Sequence, residues 1–265
     1  MNPKAIIFFD LDGTLLTGPN QIAPSSLAAI ERLRRNGYLP VIATGRATHE
    51  IEGVLQQTGI DSIVSMNGQY VVSQGNSIYT NPFHQTDIEA LKVAAQQKNY
   101  NLTYYSDSEI TAEKSDDHWT RVNYESLHSS YPQCHPQLYL TKEIYLIMLL
   151  SEHADAAFEA QFPQLTFLRN TPHGYDVVPN GSSKAVGIEA FIKKQQYENI
   201  PTYAFGDGIN DLEMFNYVDT AVAMGNAVEP LIAAADYVTA DFKADGIMKA
   251  LIHFGLIEEE KECTN

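Results

Sequence analysis

Two hydrophobic patterns take turns along the chain. Ile6 to Phe9 and Leu39 to Ala43 are short, nearly unbroken apolar runs. Such runs read as strands buried on both faces, because a half-exposed strand would alternate apolar with polar positions. Between them Leu27, Ile30 and Leu33 share a helical face that stops at Asn36-Gly37. A second helical face, Ile51, Val54 and Leu55, leads to a short strand at Ser62 to Ser65, and Asn67-Gly68 is a hairpin-type turn before Tyr70 to Val72. Strand, helix, strand, helix, strand predicts a parallel, doubly wound α/β sheet.

The pattern changes near Asn81-Pro82. From there to about Gly181 the chain is polar and aromatic-rich, with a Ser/Asp-rich stretch (Ser106 to Asp117), a Tyr/Pro/His-rich stretch (Tyr124 to Pro136), a strand-like run (Ile144 to Leu150) and a helix-like segment (Glu152 to Phe162). The alternation resumes with a helix from Lys184 to about Gln195, whose Ala185, Ile188 and Ile192 share a face. Short strands at Tyr203 to Phe205, Ala221 to Ala223 and Tyr237 to Val238 follow, with helices around Glu229 to Ala234 and Gly246 to Phe254. The predicted architecture is a Rossmann-like parallel-sheet core over 1–80 and 182–265, interrupted by a smaller α+β domain over 81–181.

Composition narrows the partners. The 17 basic and 33 acidic residues give a formal charge of −16. No Lys/Arg cluster exceeds a pair, which speaks against a nucleic-acid backbone or an anionic membrane surface. Cys134 and Cys263 lie far apart without CxxC spacing and support neither a disulfide framework nor a zinc site. The run from Ile144 to Leu150 is too short to span a bilayer, and the N-terminal apolar run breaks at Asp10, unlike a secretory leader. The expected setting is the cytoplasm; monomer and weak dimer both stay open.

Polar clusters sit where the predicted strands end or a helix begins. They are Asp10/Asp12, Thr44-Gly45, Lys184, and Gly206-Asp207-Gly208-Ile209-Asn210-Asp211. Ending a buried strand on two aspartates costs desolvation and mutual repulsion, which a cation would offset. In open α/β sheets ligands bind beyond the carboxyl ends of the strands, where clusters distant in sequence converge. Lys184, in a first helical turn, opposes the macrodipole, as expected where an anion binds nearby. Together the clusters compose a phosphoryl-transfer site. Asp10 and Asp207 suit the carboxylate positions of a magnesium ion, and Asp211 suits direct ligation or the orienting of a metal-bound water. The Thr44 hydroxyl, the amides around Gly45 and Lys184 suit the phosphate oxygens.

These stretches carry a resemblance. FFDLDGTLL, ATGR around Thr44, SSKAVGIEAF around Lys184 and FGDGINDLEMF resemble, in order, the four motifs of haloacid dehalogenase superfamily phosphatases. The inserted domain, with SMNGQYV at Ser65 to Val71 and AVAMGNA at Ala221 to Ala227, is similar to the Cof-type branch. The resemblance implies that Asp10 is a nucleophile forming an aspartyl-phosphate. It implies that Asp12 binds the metal through its backbone carbonyl and uses its side chain as general acid and base. It also implies that Asn210 and the backbone of Leu11 contact phosphate. The expected activity is magnesium-dependent hydrolysis of small phosphomonoesters, such as sugar phosphates or phosphorylated cofactors, with a phosphotransferase or mutase and a catalytically silent phosphometabolite-binding regulator as alternatives. Ala185, Asp176 and Asp241-Phe242 depart from residues common in relatives. Arg169, His173 and Tyr175 are candidates to touch the leaving group, although an exposed turn at Pro172-His173-Gly174 is at least as good a reading. His118-Trp119 and Cys134-His135 read as cap packing.

Overall fold

The computed structural model describes residues 2–152 and 156–259. Cys263 and part of the expected Glu152 to Phe162 helix therefore lie outside the described residues. Within the described part of that helix, only Ala156–Glu159 is helical.

Two compact units divide the chain: Met1–Arg46, Glu50–Ile78 and Ser183–Asn265 in one, Ala47–His49 and Tyr79–Ser182 in the other. The first is built from strands β1 (Ile6–Phe9), β2 (Leu39–Ala43), β3 (Ile63–Ser65), β4 (Tyr70–Ser73), β5 (Asn76–Thr80), β6 (Thr202–Gly206), β7 (Thr220–Ala223) and β8 (Tyr237–Val238). Its helices are α1 (Pro24–Arg35), α2 (Glu52–Thr58), α3 (Lys184–Gln195), α4 (Leu212–Tyr217), α5 (Glu229–Ala234) and α6 (Gly246–His253). The strands form one sheet in the order β8-β7-β6-β1-β2-β3-β4-β5. From β8 to β3 neighbouring strands are parallel, and β3 to β4 is the antiparallel turn expected at Asn67-Gly68.

All four residues of β1 are fully buried because the sheet is covered on both sides. Ile7 and Phe9 join Ile30 and Leu33 of α1 and Ile247 and Leu251 of α6. Phe8, facing the other way, meets Phe191 of α3 edge-on, with 6.1 Å between ring centroids. Strand order reverses at β1, with β2 on one side and β6 on the other, so the switch point of the sheet lies at its carboxyl end. In register, Phe9 pairs with Ile42 and with Phe205, which brings the residues that follow, Asp10, Ala43-Thr44 and Gly206-Asp207, to one level.

The second unit is a six-stranded mixed sheet in the order Gln133–Cys134, Ile110–Ala112, Asn101–Tyr105, Leu146–Leu150, Gly174–Pro179, Leu165–Thr171. On one face Leu102, Tyr104, Ile147, Leu149 and Val177 pack with Ile88 and Leu91 of the helix Gln85–Gln97. The other face carries hydroxyls: Tyr124 of the helix His118–Ser126 donates to Thr103 Oγ1 at 3.0 Å and shares a 2.8 Å hydrogen bond with Tyr105. Pro172 and His173 form the turn between the last two strands, His173 stacks on Trp119 at 4.5 Å, and Arg169 lies 4.5 Å from the centroid of Tyr175. Among the described residues no helix is long and apolar enough to cross a membrane.

Candidate active site

The site is assembled by strand ends. Asp10 follows β1 with its amide donating to Phe205 O at 3.0 Å, and its carboxylate is buried. Asp207 follows β6. Asp211 sits in the turn before α4 and is fully buried; its Oδ2 accepts the backbone N–H of Asp207 and of Gly208, each at 3.0 Å. Lys184 opens α3, whose cap is Ser183 Oγ accepting from Val186 N–H. Its ammonium, shut off from solvent, donates to Asp10 Oδ1 at 2.5 Å and to Asp211 Oδ1 at 2.6 Å.

Two carboxylates thus grip one ammonium, and a third, Asp207, lies beside them. Asp10, Asp207 and Asp211 each offer an oxygen within 4.8 Å of the others, and among the described residues this is the one such acidic group of three. Burial raises the Asp10 carboxyl well above the ordinary carboxylate range; Lys184 opposes this, and the charges of Asp211 and Asp207 add to it. Asp207 is pushed up to about 6, again by burial first, against the hydrogen bond from Thr14. Burial by itself would lower the Lys184 ammonium, but Asp10 and Asp211 outweigh it and raise it. An all-oxygen donor set with surplus negative charge fits a hard divalent cation. The fit tightens at Gly13, where a Cβ would fall 2.3 Å from Asp207 Oδ2, so only glycine lets the carboxylate approach the first loop.

Thr44 is also buried, its N–H bonded to Val64 O at 2.8 Å and its Oγ1 accepting from Arg46 N–H at 3.1 Å. Gly45 lies against the Asn67 carboxamide. Leu11 has a core side chain, and its carbonyl accepts from Thr14 and Leu16 as the chain turns. Asn210 is exposed beside Gly208.

Asp12 follows the turn at Leu11, beyond the end of β1 at Phe9. The Asp12 carboxylate, 61% exposed, is gripped by Arg46, with Nε to Oδ2 at 2.8 Å and Nη2 to Oδ1 at 2.5 Å. Sequence reasoning passed over Arg46, Thr14 and Asn226, although each stands inside a quoted motif. Thr14 Oγ1 donates to Asp207 Oδ1 at 2.9 Å, and Asn226 Nδ2 reaches Asp207 Oδ2 at 3.3 Å.

Comparison with known proteins settles the family. The model of the haloacid dehalogenase-like hydrolases matches residues 7–251. The chain belongs to that family. YkrA of Bacillus subtilis (strain 168), named provisionally as a phosphatase, is 36% identical over 96% of this chain and 98% of its own. A crystal structure of a hypothetical protein from Geobacillus kaustophilus HTA426 superposes with a TM-score of 0.91 at 38% identity, covering 96% of this chain and all of the other. The subclass IIB sugar phosphatase BT4131 superposes with a TM-score of 0.81 at 29% identity, over 96% of this chain and 100% of its own. This family member is a phosphatase of the Cof-type branch, a phosphoric monoester hydrolase of small phosphomonoesters, with an acidic triad capable of holding a metal.

Proposed function

We propose that the enzyme is magnesium-dependent and hydrolyses sugar phosphates or phosphorylated cofactors through an aspartyl-phosphate on Asp10. The observation that carries this reading is the buried Lys184 ammonium 2.5 Å from Asp10 Oδ1 at the switch point of the sheet. The held carboxylate keeps Oδ2 for attack on phosphorus. As that bond forms, the bond from phosphorus to the leaving oxygen breaks, and that oxygen takes a proton from Asp12. Water then attacks the phosphoryl group, gives its proton to Asp12, and phosphate leaves Asp10.

Lys184 is aimed to offset charge on the non-bridging oxygens, with the Thr44 hydroxyl, the amides of Leu11 and Gly45 and the Asn210 carboxamide as the further phosphate contacts. Magnesium, held by Asp10, Asp207 and the backbone carbonyl of Asp12, would supply Lewis-acid neutralisation of the phosphate. Both oxygens of Asp211 are engaged, by Lys184 and by two loop amides, which supports a part in holding Lys184 rather than in direct ligation. Asp12 has to leave the Arg46 pair to donate its proton, and its exposure leaves room for that turn. The sugar phosphatase activity in BT4131's name supports sugar phosphates as a substrate class.

The test is a panel of phosphorylated metabolites assayed for phosphate release with magnesium, with excess chelator, and with Asp10→Asn. Turnover is expected with magnesium alone. Undiminished release in chelator with metal removal verified, or by Asp10→Asn, would overturn the mechanism.

A further inference from the structure

The AVAMGNA stretch has no part in the chemistry above, yet it places Asn226 against the acidic site. Asn226 Nδ2 donates to Gly13 O at 2.9 Å and to Asp207 Oδ2 at 3.3 Å, while its Oδ1 accepts from Phe242 N–H at 3.3 Å. The orientation of this carboxamide is dictated from outside it. A backbone N–H can only donate and a carbonyl can only accept, so Phe242 claims the oxygen and Gly13 claims the nitrogen. The group beside Asp207 is therefore always a donor.

Thr14 does the same on the other oxygen, donating to Asp207 Oδ1 at 2.9 Å. An ionised carboxylate has about four lone-pair sites, so two neutral donors leave one site on each oxygen and fix the carboxylate plane. Donors of this kind favour the charged form, which a ligand to a cation must have, and bring no competing positive charge.

We propose that Asn226 is a positioning residue of the metal site, tying the first loop, Asp207 and the 241–242 turn together so that Asp207 presents one defined oxygen edge to a divalent cation. The inference rests on the reading of Asp207 as a magnesium ligand. It assigns a role to a side chain that bonds both the loop after β1 and the carboxylate after β6.

The measurement is magnesium binding by titration calorimetry, without substrate, to the full-length wild type, Asp207→Asn, Asn226→Ala and Asn226→Ser, alongside thermal melting of each in chelator. Loss of one such outer partner is expected to raise the magnesium Kd about 10–100-fold, with the metal-free protein still folded. Asn226→Ser, which leaves a smaller gap and still cannot reach Asp207, gives the same reading if the alanine variant does not fold. A lower melting temperature with a wild-type Kd would make Asn226 a packing residue and overturn the proposal. A wild-type Kd in Asp207→Asn would instead sink the underlying ligand assignment, so the two failures are distinguishable.

Discussion

At the scale of single residues, the site depends on carboxylates held in unlike surroundings. Asp12 is assigned two proton transfers, and an aryl phosphate separates them, because a nitrophenolate leaves with little need of an acid. Asp12→Ala should therefore release about one equivalent of phenol per active site in a burst and then stall as phosphoenzyme. Rapid-quench measurement of phenol and acid-precipitable phosphate checks this; steady turnover at the wild-type rate would contradict the role. Asp207 supplies a pH signature. Its folded-state value of about 6 lies above its unfolded value, so between roughly pH 4 and 6 the folded, metal-free protein binds more protons than the unfolded chain. That contribution to stability is complete below the unfolded value and is lost as pH rises through about 6. Magnesium needs the ionised form of Asp207 and of Asp10, whose carboxyl burial also raises, so its binding at pH 6 should release protons. Calorimetry in buffers of different ionisation heat reads the number, and no buffer dependence at pH 6 would refute it. That Asp10, Thr44, Lys184 and Asp207 stand at strand ends or a helix start was legible from sequence, because each ends an apolar run or opens an amphipathic one. The Asp12–Arg46 pair was not, since it depends on where a turn aims two exposed side chains.

At the scale of elements, α3, which carries Lys184 inward, packs closely on the turn between β3 and β4. Met66 and Asn67 both adopt left-handed backbone there, and Gly68 (φ +89°) sits where a Cβ would fall 2.0 Å from Ser183 O. Across from it, a Cβ on Gly187 would meet Val64 Cγ1 at 2.5 Å and Gly68 Cα at 2.6 Å. Gly187→Ala brings opposing effects. Helix propensity favours alanine by about 1 kcal/mol, whereas overpacking costs about 1–3 kcal/mol. Besides the Val64 side chain, the obstacle is the Gly68 backbone, which cannot turn aside as a flexible side chain would, so overpacking wins. The variant should lose stability in denaturant unfolding, and kcat should fall as the start of α3 is levered away from Asp10. Unchanged values for both would show that the close approach relaxes without consequence. Apolar runs and helical faces located these elements to within a few residues, whereas the paired left-handed residues before Gly68 left no trace in hydrophobic periodicity.

At the scale of the whole molecule, the described residues include one hydrophobic core around β1 and another around Leu102, Tyr104 and Ile147, belonging to separate units. Separate cores permit separate cooperative transitions. Scanning calorimetry should therefore give a calorimetric enthalpy above the van't Hoff value, and magnesium with phosphate should raise the transition of the unit containing Asp10 more than the other. A single two-state peak that moves as one would contradict this.

The sequence alone determined the class of the fold and the kind of chemistry. Short continuous apolar runs bounded by turn signals fit strands covered on both faces, and acidic residues ending such runs call for compensation wherever those ends meet. Tertiary structure decided the rest. Strand register brought Asp10, Thr44 and Asp207 level, and a glycine-to-glycine approach set the depth of Lys184. A carboxamide caught between two backbone groups came to face Asp207. Each of these depends on distances between segments remote in the chain, set by backbone sterics and by hydrogen bonds that local patterning does not encode.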